Sequence, residues 1–308
     1  MSELTKVKTI APAKINIALE VVNKRSDGFH NIDTVMSAIS LSDTVTLTKT
    51  SPNSGVRLKT LGVGTNPIAQ SDNLALRAAT LLADRASIKR PDVNIELEKR
   101  IPLSAGLGGG SSDAAAVLRG LNVLWDINWP PDKIANLGSE LGSDIPFFVY
   151  GGCARCTGRG EVVSPLPDGW SMNLVVLMPI VPYIKNKTSL MFQNLTTSDF
   201  SDGRHSWRVA QRLARGAPPA TADIVNGFES TFSRLYPNVL SQFESYDFER
   251  TTQLHLSGAG PAVFTFLRAD AEFELLREHF QKLGAQCFMT QTLTAAESTE
   301  IEYVKWGE

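Results

Sequence analysis

The stretch "PLSAGLGGGSS" (102–112) runs straight into "DAAAVLRGLNVLW" (113–125), and this junction decides how the fold is read. Four glycines and three serines in eleven residues look like a loop built to cradle an anion. Neither familiar glycine fingerprint fits it. A Walker loop ends in Gly-Lys-Ser/Thr, whereas here the glycines meet Ser111 and Ser112 with no lysine. A Rossmann turn counted from Gly106 would need glycine where Ser111 stands. The physical reading survives without either motif. The alternating segment "VNIELEK" (93–99) predicts a strand and the segment from about Ser112 to Trp125 a helix, with Ala115, Leu118, Leu121, Asn122 and Trp125 near one stripe. A glycine-rich bend between them places unpaired N–H groups at the positive end of a helix, where they can hold phosphate without a loop lysine. The alternative is a strand-to-helix connector whose glycines serve packing alone.

Outward from that loop, "KINIALEVV" (14–22) sets Ile15, Ile17, Leu19 and Val21 at period two, as a half-buried strand would, and "DTVTLTK" (43–49) repeats the pattern. Residues 71–86 read as a helix opened by a Ser/Asp cap, and Asp132 to Leu141 as another that stops at Gly142. The second half begins near "PLPDG" (165–169). It reads as strand 172–178, a polar helical middle with a break at "RGAPPATA" (215–222), strands 254–257 and 262–267, and helix 270–284. This order suits two α+β lobes with a cleft between them.

Composition sets bounds. With 308 residues, 43% apolar and net charge −2, the chain can bury two cores and carries no global basic field for nucleic acid. The apolar run "MNLVVLMPIV" (172–181) is too short to cross a bilayer, and the N-terminus lacks the build of a secretory signal. Three cysteines, an odd number, suit a reducing compartment, so the expected location is the cytoplasm. "CARC" (153–156) has no second half of a zinc site, so its thiols are expected to pack rather than ligate.

Four further stretches hold candidate chemistry. In "APAKIN" (11–16), Lys14 heads a strand and marks either a solvated edge or a cation for a ligand. In "ELGSDIPFFV" (140–149), Asp144 lies past a helix end against Pro146, Phe147 and Phe148, as a turn residue or a general base. "RSDGFHNI" (25–32) pairs Phe29 with His30 in a turn, and "LSGAGPAVF" (256–264) is a second small-residue turn, whether a plain hairpin or part of a site.

In this order the five stretches resemble the GHMP kinase superfamily, from about residue 8 to 268, most strongly before residue 160. Within it, "RSDGFHNIDTV" and "PLSAGLGGGSSDAAAVL" look most like the branch that phosphorylates a cytidine diphosphate-linked polyol in the non-mevalonate isoprenoid pathway. The resemblance implies an α+β, two-lobed GHMP kinase fold. Its N-terminal lobe (1–165) would be ribosomal protein S5 domain 2-like, and its C-terminal lobe (166–308) a ferredoxin-like two-layer sandwich. It implies ATP and Mg2+ as cofactors, no nucleic acid or membrane partner, and a monomer or weak homodimer. Lys14 and Asp144 would be catalytic. The loop Pro102, Leu103, Ser104, Ala105, Gly106, Leu107, Gly108, Gly109, Gly110, Ser111 and Ser112 would wrap the ATP phosphates, with Asn73 and Lys99 beside the adenine. Asn16, Phe29, His30, Thr188 and Phe192 would bind the substrate, Phe29 standing where the family usually has tyrosine and Tyr183 competing with Phe192 for the second stacking position.

Overall fold

The computed structural model describes residues 4–62, 70–181, 186–239, 253–267, 269 and 271–305. Two strands form its spine, β1 (Leu4–Lys24) and β2 (His30–Lys49), paired antiparallel around the turn that carries Phe29. After β3 (Val56–Gly62) come α1 (Leu74–Arg85), β4 (Val93–Lys99), α2 (Gly109–Leu124), α3 (Pro131–Ser139) and α4 (Ile145–Tyr150). The hairpin β5 (Cys153–Thr157) and β6 (Val162–Pro165) then adds to β2. The first sheet runs β3-β4-β2-β1, with β3 parallel to β4.

The second lobe is built from β7 (Asn173–Met178), α5 (Lys187–Gln193), α6 (Arg204–Leu213), α7 (Glu229–Leu235), β8 (His255–Leu256), β9 (Val263–Phe266), α8 (Ala271–Lys282) and β10 (Gln286–Gln291). Its sheet has the order β10-β7-β9-β8, antiparallel throughout. The short α9 (Ala295–Ser298) then leads to β11 (Ile301–Lys305), which pairs with β1. A cut at residue 165 therefore separates the two sheets everywhere except at this last strand, which returns to the first.

Three differences from the sequence reading have plain causes. Strand 14–22 is buried on both faces rather than one, because the second lobe covers what would have been its solvent side. A register shift between Asn16 and Ala18 also breaks the period. Ile15 and Ile17 join a core with Val176 and Phe264, whereas Leu19 and Val21 join one with Phe228 and Phe232. Second, the cap of α1 is Asn73, whose Oδ1 accepts from Ala75 N at 2.9 Å, while Ser71 and Asp72 sit in a preceding 3-10 turn. Third, α2 starts at Gly109 and is enclosed nearly all round, with Ala114, Ala115, Ala116, Val117 and Leu118 all fully buried. It packs beside α1 and against β1 and β2, in one core with Ala78, Val45 and Ile95, so its glycine-rich start is held by a rigid core.

Candidate active site

The glycine loop leaves β4 under tight control. Asp43 of β2 accepts from Ile101 N at 2.8 Å and Arg100 N at 2.5 Å, pinning the loop's entry. Further on, Lys14 N donates to Leu107 O at 2.9 Å and Ala262 N to Ala105 O at 3.0 Å, so both lobes grip the loop. Gly106 and Gly108 adopt φ of +85° and +73°. A Cβ on Gly106 would fall on the Ser257 carbonyl, and one on Gly108 would lie 2.7 Å from the Phe148 ring. Glycine is therefore required at both for backbone angle and space. Gly108 is the N-cap of α2 and offers no side-chain cap, which leaves the first N–H groups of the helix for a ligand. Gly106→Ala is expected to weaken nucleotide binding by about tenfold or more, since αL strain and a backbone clash cost roughly 1–3 kcal/mol at a fixed site. Calorimetric titration with ADP checks this, and unchanged affinity would mean that the loop shape is not what binds.

Beside the loop opens a cavity of about 940 Å³. Lys14 reaches into it from β1, donating to Asn16 Oδ1 at 2.5 Å and Gly106 O at 2.8 Å. Burial holds the Lys14 ammonium below its usual range, and the negative charge of Asp144 opposes that shift. Asp144 sits at the head of α4 and makes no capping hydrogen bond of its own, so its carboxylate is not consumed by the helix. A buried cation and an uncommitted carboxylate thus share one wall at the mouth of an anion cradle. That pairing can take a proton from a hydroxyl and hold the resulting charge beside a phosphate.

The cavity is also lined by aromatic side chains. Phe29 is 51% exposed, and the Arg159 guanidinium lies 5.0 Å from its ring centroid. His30 is buried and stacks on Phe192 at 5.1 Å with 22° between the planes. Burial, aided by the charge of Lys24, keeps its imidazole below the usual histidine range, hence neutral and able both to donate and to accept. Thr188 and Phe192, both on α5, line the same cavity, as does Asn16, whose amide donates to Thr34 Oγ1 at 2.9 Å.

Residues 73–152, from the cap of α1 to the end of α4, match the GHMP kinases N terminal domain. Over the whole chain the protein is similar to 4-diphosphocytidyl-2-C-methyl-D-erythritol kinase of Dehalococcoides mccartyi, 35% identical over 286 residues that cover 92% of this chain and 97% of the relative. The chain belongs to the 4-diphosphocytidyl-2-C-methyl-D-erythritol kinase family. The enzyme of that name from Geobacillus kaustophilus is also 35% identical, covering 94% of this chain and 98% of its own. The crystal structure of a 4-(cytidine 5'-diphospho)-2C-methyl-D-erythritol kinase superposes with a TM-score of 0.74 at 30% identity, over 92% of this chain and 98% of that one. The fold is accordingly the GHMP kinase fold, and the protein is an ATP-dependent kinase.

Within this kinase the structure brings together Lys14, Asp144, Asn16, Phe29, His30, Thr188, Phe192 and the loop from Pro102 to Ser111 around one cavity. Asn73 does not line it. Its Oδ1 accepts the α1 capping bond from Ala75 N. Lys99 lines it, but its ammonium is bound by Asp43 and by Asp113 at 2.6 Å. Burial drives Asp113 up to about 8, with Asp43 adding to that and Lys99 opposing it. This buried trio seats the loop from below. Ser112 lies behind the wall, fully buried. Tyr183 lies outside the described residues. Cys153 and Cys156, three apart on β5, point to opposite faces of the sheet, one toward Ile15 and the other toward α2, so they cannot share a metal or a disulfide. Two cavity residues carried no signal strong enough to be singled out. Arg159 is flanked by Gly158 and Gly160, both at positive φ, a pattern that marks a tight turn. Lys187 in "KNKT" is indistinguishable by sequence from a solvated lysine.

Proposed function

We propose that the protein transfers the terminal phosphoryl group of ATP to the 2-hydroxyl of 4-diphosphocytidyl-2-C-methyl-D-erythritol, giving the 2-phosphate and ADP. The observation that carries this reading is the convergence of Lys14, Asp144, the glycine loop and the Phe29–His30 turn on one cavity. The loop and the N-terminus of α2 hold the ATP phosphates through backbone N–H groups. Phe29 offers its exposed face to the cytosine, and His30 hydrogen-bonds the edge of that base. This places the polyol toward Asp144. Asp144 accepts the hydroxyl proton as the oxygen forms its bond to the terminal phosphorus and the bond to ADP breaks. Lys14 stabilises the charge on the oxygens being exchanged, a task of positioning and electrostatics rather than covalent chemistry.

Hard oxygen donors suit Mg2+, and Ser111, Ser143 and Asp144 line this cavity. Asp144 and Ser111 are the groups that would hold it, and the ion would shield phosphate charge. Every other element of the proposal rests on the chain's own residues.

The deciding experiment measures ADP release with the cytidyl substrate and with the same polyol phosphate lacking cytidine. Base stacking of roughly 1–3 kcal/mol plus the His30 contact predicts kcat/KM lower by about 100-fold without the cytidine. Equal turnover of both would remove the cytidine group from the specificity. Turnover of homoserine or mevalonate instead would assign another alcohol to the site.

A further inference from the structure

Around the glycine loop the carboxylates are shared unevenly among the ammonium groups. Lys99 is balanced by Asp43 and Asp113, and Lys14 faces the field of Asp144. Lys187, in the first turn of α5, is only 8% exposed, and no ion pair binds it among the described residues. Its Nζ donates instead to the carbonyls of Ser104, at 2.6 Å, and Gly260, so it bridges the loop to the turn between β8 and β9. It also lies in the repulsive field of Lys14, which together with burial pushes it down to about 7.

Such a pair is unfavourable for the folded chain alone, since desolvated like charges repel. A simple latch between the same two carbonyls needs donors, not charge, and a neutral hydroxyl or amide would supply them without the cost of burying an ammonium. Two of the three ammonium protons go to carbonyls, and an anion bound there would favour the charged form and take the third. The position narrows which ligand. Lys14 grips the loop at Gly106 and Lys187 at Ser104, both before the chain enters α2 at Gly109. The inner phosphates belong at that helix end, whereas Lys14 and Asp144 mark where the acceptor hydroxyl meets the group being transferred.

We propose that Lys187 is a second phosphate-binding cation, which with Lys14 clasps the terminal phosphoryl group of ATP. The inference rests on the reading that the glycine loop holds ATP phosphates.

The test titrates the full-length wild type, Lys187→Met and Lys187→Arg with Mg-ADP and with a non-hydrolysable Mg-ATP analogue, by calorimetry. Losing one charge-assisted contact predicts that Lys187→Met binds the ATP analogue about 10–100-fold more weakly and ADP less than about 3-fold more weakly. Lys187→Arg is expected to keep the preference for the analogue to within about tenfold of the wild type. Equal losses for both nucleotides would make Lys187 a loop latch and overturn the proposal, as would unchanged binding of the analogue. If Lys187→Met does not fold by thermal melting, Lys187→Gln replaces it, because its amide preserves a donor to the two carbonyls while removing the charge. A wild type that binds neither nucleotide would defeat the reading of the loop itself. A wild type that binds both, with a variant that discriminates as well as it does, would defeat only the role of Lys187.

Discussion

Asp144→Asn is expected to lower kcat by about 10²–10⁴-fold, the span typical of a lost proton acceptor. Asparagine keeps the shape of aspartate and loses its basicity. Because Asp144 makes no capping bond to α4, the substitution removes no hydrogen bond on which the helix depends. The melting temperature should therefore stay within about 1 °C, less than 1 kcal/mol for a chain of this size. A coupled assay of ADP release, run beside a thermal melt, reads both quantities. Full activity in the variant would show that the proton leaves by another route, and a fall in kcat that tracks lost stability would make Asp144 structural.

Lys14→Met is expected to fall in the same range, about 10²–10⁴-fold in kcat, for a different reason. Methionine fills the channel left by the lysine stem but withdraws the ammonium from Asn16, Gly106 and the transferring phosphoryl group. Lys14→Arg should not rescue it. The planar guanidinium is larger and cannot meet Asn16 Oδ1 and Gly106 O from the same enclosed point, where even a Cβ on Gly258 would lie 2.9 Å from Nζ. The two residues serve one oxygen, so their losses should not add. The double variant Lys14→Met/Asp144→Asn is expected to be about as slow as the worse single variant. If the two losses multiply instead, the residues act at separate steps.

The glycine loop was legible in the sequence because its chemistry is local, whereas Lys14 and Asp144 were left open by their own surroundings and paired only by the family resemblance. Glycines at 106 and 108 report a backbone that must turn at positive φ, and a helix following them supplies a charge of known sign. Asp144 beside Pro146 and two phenylalanines reports a carboxylate at a helix end against an apolar wall. Phe29 and His30 lie in one turn and are named together by it. By contrast Asn73, expected beside the nucleotide, is held to α1 by its own helix-capping bond. The role of Lys99 is set by Asp43, 56 residues away on β2, and by Asp113.

Short-range periodicity and turn chemistry were enough for the strands at 14–22, 43–49 and 93–99, for α2 and for a two-lobed α+β order; the GHMP kinase fold came from the resemblance of the five motifs. They were not enough wherever a residue's partner is distant along the chain. The strand 14–22 has two buried faces because the second lobe closes over it. The last strand rejoins the first sheet after an excursion through the second, a pairing that no window of sequence contains. Lys187 becomes a buried, unpaired cation only because Ser104 and Gly260, from different lobes, converge on it. Burial and field at a point are sums over everything packed around it, and that sum exists only once the chain has folded.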